Sequence, residues 1–198
     1  MSFNGTACGS PLIPTLGFFL RMPTVITHAA VPIATALALG STRINSKLLV
    51  AGVVASMIPD LDVLAFRLNI AYAHDLGHRG ASHSLFIALV LGFIAATLAA
   101  KLRSTRLSAF TFVFISAASH GLLDMLTNGG LGVALWWPWS NERYFFPCQV
   151  IEASPLSLRR VFGPAGLAVF KSELLWVWFP ALASALVARY ALTSSKRN

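Results

Sequence analysis

Acidic residues are scarce in this chain: seven aspartates and glutamates stand among 198 residues, against fifteen lysines and arginines. Charged residues of both signs together make up 11%, well under the about 25% of an ordinary soluble domain. So low a charge excludes a solvated, disordered chain. The 56% hydrophobic fraction and the mean hydropathy of +0.71 point to lipid as the main solvent. Cysteine is nearly missing as well, and Cys8 and Cys148 form no spacing motif, which excludes a disulfide framework and a thiolate metal centre. There is no internal repeat, so a solenoid is excluded too. A net charge of +8 and a pI near 10.4 would suit nucleic acid. However, the basic residues fall in twos and threes between apolar runs, which follows the positive-inside rule of membrane proteins, so no nucleic-acid partner is expected.

The chain is long enough for one domain of ordinary size. Residues 1–21 hold a short apolar stretch broken by Pro11 and Pro14, and their first basic residue, Arg21, follows that stretch instead of preceding it. This is short for a membrane span of ~20 residues and makes only a poor signal peptide. Met22 reads as the natural start, 1–21 as an extension, and 22–198 as the functional domain. Five apolar runs follow, at 24–40, 48–58, 82–100, 107–126 and 174–192, with Pro59 expected to end the second as a helix. The third is the clearest span, and 127–172 reads as one long connection. The expected fold is all-α, a polytopic membrane bundle of about five apolar helices.

If each run crosses the bilayer once, Arg43, Lys47, Lys101, Arg103, Arg106, Lys196 and Arg197 share one side, which the positive-inside rule makes cytoplasmic. All seven acids then fall on the outer, periplasmic side. So do His28, His78, His83 and His120, and this common placement is the functional signal.

His120 and Asp124 stand four residues apart within an apolar run, so a helix projects both from one face, where they can share a cation. A solvent-facing pair is the rival reading, and it is weak because a carboxylate inside an apolar span is costly unless paired or bound to metal. Asp60 and Asp62 flank Leu61 just after Pro59. One is expected to be a ligand and the other a helix cap or an orienting group. His74, His78 and His83 crowd into ten residues, and the last two are the stronger ligand candidates because they bracket the start of the third run. His28 near the head of the first run could equally be a polar helix end at the membrane interface. Ser82 and Ser84 could cap a helix or orient an imidazole. Arg79 could pair with a carboxylate or grip a phosphate with its planar fork.

Imidazoles and carboxylates without thiolates suit a hydrolytic centre of one or two divalent ions, zinc first, then manganese or iron. Such a centre lowers the pKa of bound water, and Asp60 or Asp62 could serve as general base. The catalytic candidates are therefore Asp60, Asp62 and Arg79. The candidate ligands are His28, Asp60, Asp62, His78, His83, His120 and Asp124. Trp136, Trp137 and Trp139, with Tyr144, Phe145 and Phe146, read as an interfacial aromatic belt that could also roof the site. Arg143 and the Arg159–Arg160 pair could steer anions, although solvated loop charges are the ordinary expectation.

The ordered motifs MPTVITHAAVP, PDLD, HRGASHS, HGLLDMLTNGG and PWSNERYFFP, from Met22 to about Pro155, resemble the YdjM-type family, LexA-regulated inner-membrane proteins assigned as metal-dependent hydrolases. The order His, Asp, His, His-x-x-x-Asp is more distantly similar to zinc-dependent phospholipases C, which are all-helical. That resemblance implies His28, Asp60 or Asp62, His78 or His83, His120 and Asp124 as ligands. No histidine follows His120, so a three-metal cluster is not expected. The implied function is hydrolysis of an ester, a small or lipid-linked phosphoester above all, by metal-activated water. A membrane metal-binding or transport protein without hydrolytic activity is the alternative.

Overall fold

The computed structural model describes residues 21–22, 24–155 and 163–195. The extension 1–21 other than Arg21, the Arg159–Arg160 pair, and Lys196 and Arg197 of the basic tail lie outside them.

Among the described residues the regular structure is helical apart from a two-residue antiparallel pair, β1 (Arg21–Met22) with β2 (Ser154–Pro155), and the isolated bridges Thr127–Ile151 and Val133–Tyr144 in the long connection. A 3-10 turn, Val25–Ala29, leads into α1 (Ala30–Leu39), which ends at Gly40 with a positive φ of 79°. Next, α2 (Ser46–Met57) runs back. Pro59 ends its α-helical hydrogen bonding, as expected from the missing N–H, but the helix tightens instead of stopping and continues as a 3-10 helix, Ile58–Leu68. That continuation corrects the expected boundary, and it puts Asp60 and Asp62 on a helical segment. Asn69 ends it in the left-handed conformation.

Ser84 caps α3 (Leu85–Thr97) by accepting from the Ile87 N–H, and Thr105 caps α4 (Arg106–Asp124) through the Ser108 N–H. The last apolar helix begins well before the expected residue 174: α5 (Pro164–Glu173) passes through a π-helical turn, Leu174–Trp178, into α6 (Phe179–Ser194).

Among the described residues three helices are long and apolar enough to cross a membrane: Ser46–Leu68, Arg106–Asp124 and Gly166–Ser194. The 19 residues of α4 reach ~28 Å, close to the hydrocarbon thickness of about 30 Å. By contrast α3, the run that looked clearest, has 13 residues and reaches only ~20 Å. Its shortfall is at both ends, where Ser82 and His83 belong to a separate 3-10 turn and the chain from Leu98 turns toward α4.

Small residues let these helices approach. The main core joins Leu48 and Ala55 of α2, Ala88 and Ala95 of α3, and Ala109, Phe112, Val113 and Ala117 of α4. Outside it, Val50, Val54, Phe93, Ile94, Phe179 and Leu186 are exposed, a surface suited to lipid and costly in water. Asn45 links two turns: its oxygen caps α2 through the Lys47 and Leu48 N–H groups, and its amide donates to the Leu102 and Arg103 carbonyls.

Candidate metal centre

Four segments bring the titratable groups together at one end of the bundle. The 3-10 turn before α1 supplies His28, the extension of α2 supplies Asp60 and Asp62, the turn before α3 supplies His83, and the last turns of α4 supply His120 and Asp124. The loop between Asn69 and Ala81 adds His78 and Arg79. His28, Asp60, His78, Arg79, His83, His120 and Asp124 are all buried. The expected i, i+4 arrangement holds, with His120 Nε2 3.8 Å from Asp124 Oδ2. His74, the weakest histidine candidate, is exposed, and its ring accepts from the Leu76 N–H.

Asp60 and Asp62 occupy different environments. Asp62 accepts from His78 Nδ1 at 2.5 Å and His83 Nδ1 at 3.1 Å, from the Arg79 backbone N–H at 3.1 Å and from the Ser82 hydroxyl at 2.6 Å. Four donors fill what a carboxylate can accept. Asp62 is thus placed to orient two imidazoles, although ligand atoms of Asp62, His78 and His83 also lie within 4.8 Å of one another; neither carboxylate caps a helix. Ser82 orients and Ser84 caps, so the two roles left open for these serines are divided between them. Asp60, although buried, has no hydrogen-bond partner on either oxygen. Its nearest basic neighbours are His28 Nε2 at 3.7 Å and His120 Nε2 at 3.6 Å. Those distances are too long for hydrogen bonds. They suit donors converging on one ion, since ligands each about 2.0–2.1 Å from zinc lie roughly 3–3.5 Å apart.

The imidazoles form a row. His28 stacks on His120 with centroids 3.6 Å apart, His83 meets His120 edge-on at 4.5 Å, and His78 meets His83 edge-on at 5.6 Å. His120 Nδ1 donates to the Ser56 carbonyl at 2.7 Å, which leaves the Nε2 lone pair free in the neutral ring. His83 Nδ1 is turned to Asp62, which has the same effect on its own Nε2. The two Nε2 atoms are 2.9 Å apart. Two lone pairs at that separation repel, so a positive charge has to share the space.

A proton on His83 can serve. Burial opposes that charge, but hydrogen bonds to Asp124 and Asp62 outweigh burial and raise the His83 pKa to about 9. A metal ion serves as well, and it would also satisfy Asp60 and Nε2 of His28, which have no hydrogen-bond partner. Ligand atoms of His28, Asp60 and His120, and of His83, His120 and Asp124, lie within 4.8 Å of one another. These residues therefore fit a cation bound by nitrogen and oxygen. His78 lies at the end of the row, its pKa lowered by burial against the pull of Asp62.

Arg79 and Arg143 have roles that the sequence left open or hid. Fully buried, Arg79 pairs with Asp124 through Nε at 3.0 Å and donates to the Gly129 carbonyl at 2.7 Å, while Nη2 has no hydrogen-bond partner. Arg143 was expected as a solvated or steering charge. It is partly buried and donates to the carbonyls of Tyr72, His74 and His78, holding the loop that carries His78 and Arg79. Sequence reasoning missed Glu173, Thr24 and Thr27. Glu173 is buried and accepts from the Thr24 N–H and from both threonine hydroxyls, fixing the turn that presents His28. The only hint was an acid beside an apolar run. Trp136 and Trp139 are exposed, and Trp137 and Trp139 pack edge-on against Phe86 at the start of α3.

No solved structure matches the chain, and nothing in its matches shows the expected relation to phospholipase C. It is 46% identical over 162 residues to the inner membrane protein YbcI of Escherichia coli (strain K12), an alignment spanning 81% of this chain and 94% of that protein. Residues 22–197 match the YdjM inner membrane protein family. With a membrane-suited exterior, a buried His–Asp centre and these two matches, the chain belongs to the YdjM inner membrane protein family.

Proposed function

We propose that this chain is a membrane-bound, metal-dependent hydrolase that cleaves an ester, a small or lipid-linked phosphoester, at the periplasmic face of the inner membrane. The observation that carries the reading is the convergence of His28 Nε2, His120 Nε2 and the unpartnered Asp60 oxygens on one buried point. His28, Asp60, His83, His120 and Asp124 would hold the cation, zinc by its donor preference, with manganese or iron as the other candidates and a second ion compatible with the donor count. When bound, a divalent ion supplies Lewis acidity and makes water a nucleophile near neutral pH.

The rest is work for the chain's own groups. Asp62 keeps the Nδ1 protons of His78 and His83 in place, so their Nε2 atoms stay basic. One Asp60 oxygen is free to take the proton from water as it attacks phosphorus. The P–O bond to the alcohol then breaks, and the alcohol leaves with the proton that Asp60 took from water. Arg79, pinned by Asp124, offers Nη2 to a non-bridging phosphoryl oxygen. The orientation follows from Arg43, Lys47, Lys101, Arg103 and Arg106, which the positive-inside rule assigns to the cytoplasmic end.

A second reading is favoured by one observation, the burial of every donor, which suits a membrane protein that binds a metal ion without turnover. Purified protein in detergent separates the two. Metal content is measured beside turnover of a panel of phosphodiesters and carboxylic esters, with Asp124→Ala and His120→Ala as controls. The hydrolase reading expects bound zinc and a turnover that both variants abolish. Stoichiometric metal with no hydrolysis of any ester supports the metal-binding reading, and absence of metal overturns both.

A further inference from the structure

The end of the bundle away from the His–Asp centre carries a separate chemistry. The turns joining α1 to α2 and α3 to α4 are basic, with Arg43 and Lys47 at one and Lys101, Arg103 and Arg106 at the other. No acid answers them. The seven acids stand at positions 60, 62, 75, 124, 142, 152 and 173, and the ion pairs of the described residues use only His28, His78, Arg79, His83 and His120 as basic partners.

Between the two turns lies a cavity of about 770 Å³, lined by Arg43, Arg103 and the hydroxyl-bearing Thr42, Ser104, Thr105 and Ser108. Leu39, Phe112 and Ile115 form its apolar side. A smaller cavity of about 170 Å³ shares Arg43 and adds Arg189 of α6. Asn45 bonds across both turns, so the two basic walls of the larger cavity are tied to each other. The turns end helices whose outward side chains, Leu37 and Ile115 among them, are exposed and apolar, so the cavity adjoins a surface suited to lipid.

We propose that this cavity binds the phosphate-bearing headgroup of an anionic phospholipid from the adjoining leaflet. The two guanidinium forks grip the phosphate, and the acyl chains follow Leu39 and Ile115 into the bilayer. The cavity volume is that of a small-molecule site, and basic pockets between membrane helices are suited to anionic headgroups. This assignment is independent of the chemistry at the His–Asp centre.

The test uses the full chain in detergent, titrated with phosphatidylglycerol or with phosphatidylcholine of the same acyl chains, reading lipid retention by native mass spectrometry and the thermal shift. Each basic side chain near the headgroup contributes roughly fivefold, so the wild type is expected to prefer phosphatidylglycerol by about 30-fold. Arg43→Gln with Arg103→Gln removes that preference. Lys101→Gln with Arg106→Gln subtracts the same charge outside the cavity lining and keeps most of it. Arg43→Lys with Arg103→Lys keeps charge without the forks, falls between, and reads the site even if the Gln pair expresses poorly. Equal loss in both Gln pairs, or no preference in the wild type, overturns the proposal. Glycerol phosphate protecting as well as the lipid at equal concentration overturns the lipid assignment in favour of a soluble phosphoester.

Discussion

Asp62→Asn distinguishes an orienting carboxylate from a metal donor with almost no change in volume. Oδ2 of Asp62 faces three donors, the Arg79 N–H, the Ser82 hydroxyl and His83 Nδ1, whereas Oδ1 faces only His78 Nδ1. The amide will therefore turn its oxygen toward the three and its NH2 toward His78. That ring must then accept at Nδ1 and carry its proton on Nε2. One charge-assisted hydrogen bond is lost and the hold on His83 is weakened, while every proposed donor to the cation remains. Loss of such an outer partner weakens metal binding by about 10- to 100-fold, or roughly 1.4–2.7 kcal/mol. Asp60→Asn removes an anionic donor directly. Its cost should resemble breaking a buried charge pair, on the order of 3–5 kcal/mol, or at least a few hundredfold. Zinc affinity measured against a competing chelator gives both numbers on detergent-purified protein. If Asp62→Asn weakens zinc as much as Asp60→Asn, Asp62 is itself a donor and the division of labour is wrong. If neither variant moves the affinity, the centre does not hold the metal.

Two further outcomes follow from the same geometry. The His83 pKa of about 9 means that a cation binding at pH 7 must displace a proton. Zinc affinity should rise about tenfold per unit from pH 6 to pH 8 with release of about one proton per ion, read by calorimetry in buffers of different ionisation enthalpy, and a pH-independent affinity would contradict the assignment. At Gly121 an added Cβ would meet the His83 carbonyl oxygen at 2.6 Å, so Gly121→Ala should push α4 away from the His83 turn. A stability loss of about 1–3 kcal/mol with weakened zinc binding is expected. In Gly92→Ala, where the Cβ meets only Phe110 and Phe114 at 3.1 Å, stability should fall without a change in zinc affinity.

Much of the site was legible because burying charge in lipid is costly. His120 and Asp124 stand out from α4 because nothing else in that run explains them. Asp60, Asp62 and His83 were found because a handful of titratable residues is easy to follow through an apolar chain. The sequence could not rank Asp60 against Asp62, because the difference lies in which donors a later loop delivers: Arg79, Ser82 and the two imidazoles arrive at Asp62, and none arrives at Asp60. It also missed Glu173, whose threonine partners are 146 and 149 residues away. Helix lengths failed for a local reason. Hydropathy extends through Ser82–His83 and past Leu98, but the backbone bends at both places, and a count of apolar residues does not register a bend.

The bond from Glu173 to Thr24 and Thr27 has a bearing on biosynthesis. His28 is among the earliest functional residues to leave the ribosome, yet the turn that aims it is anchored by a carboxylate made almost 150 residues later. A nascent chain lacking α5 and α6 has its aspartates and histidines in the bilayer before the last clasp is available. The aim of His28 is thereby tied to the synthesis of Glu173, and a product truncated before that residue should lack the clasp that sets the turn.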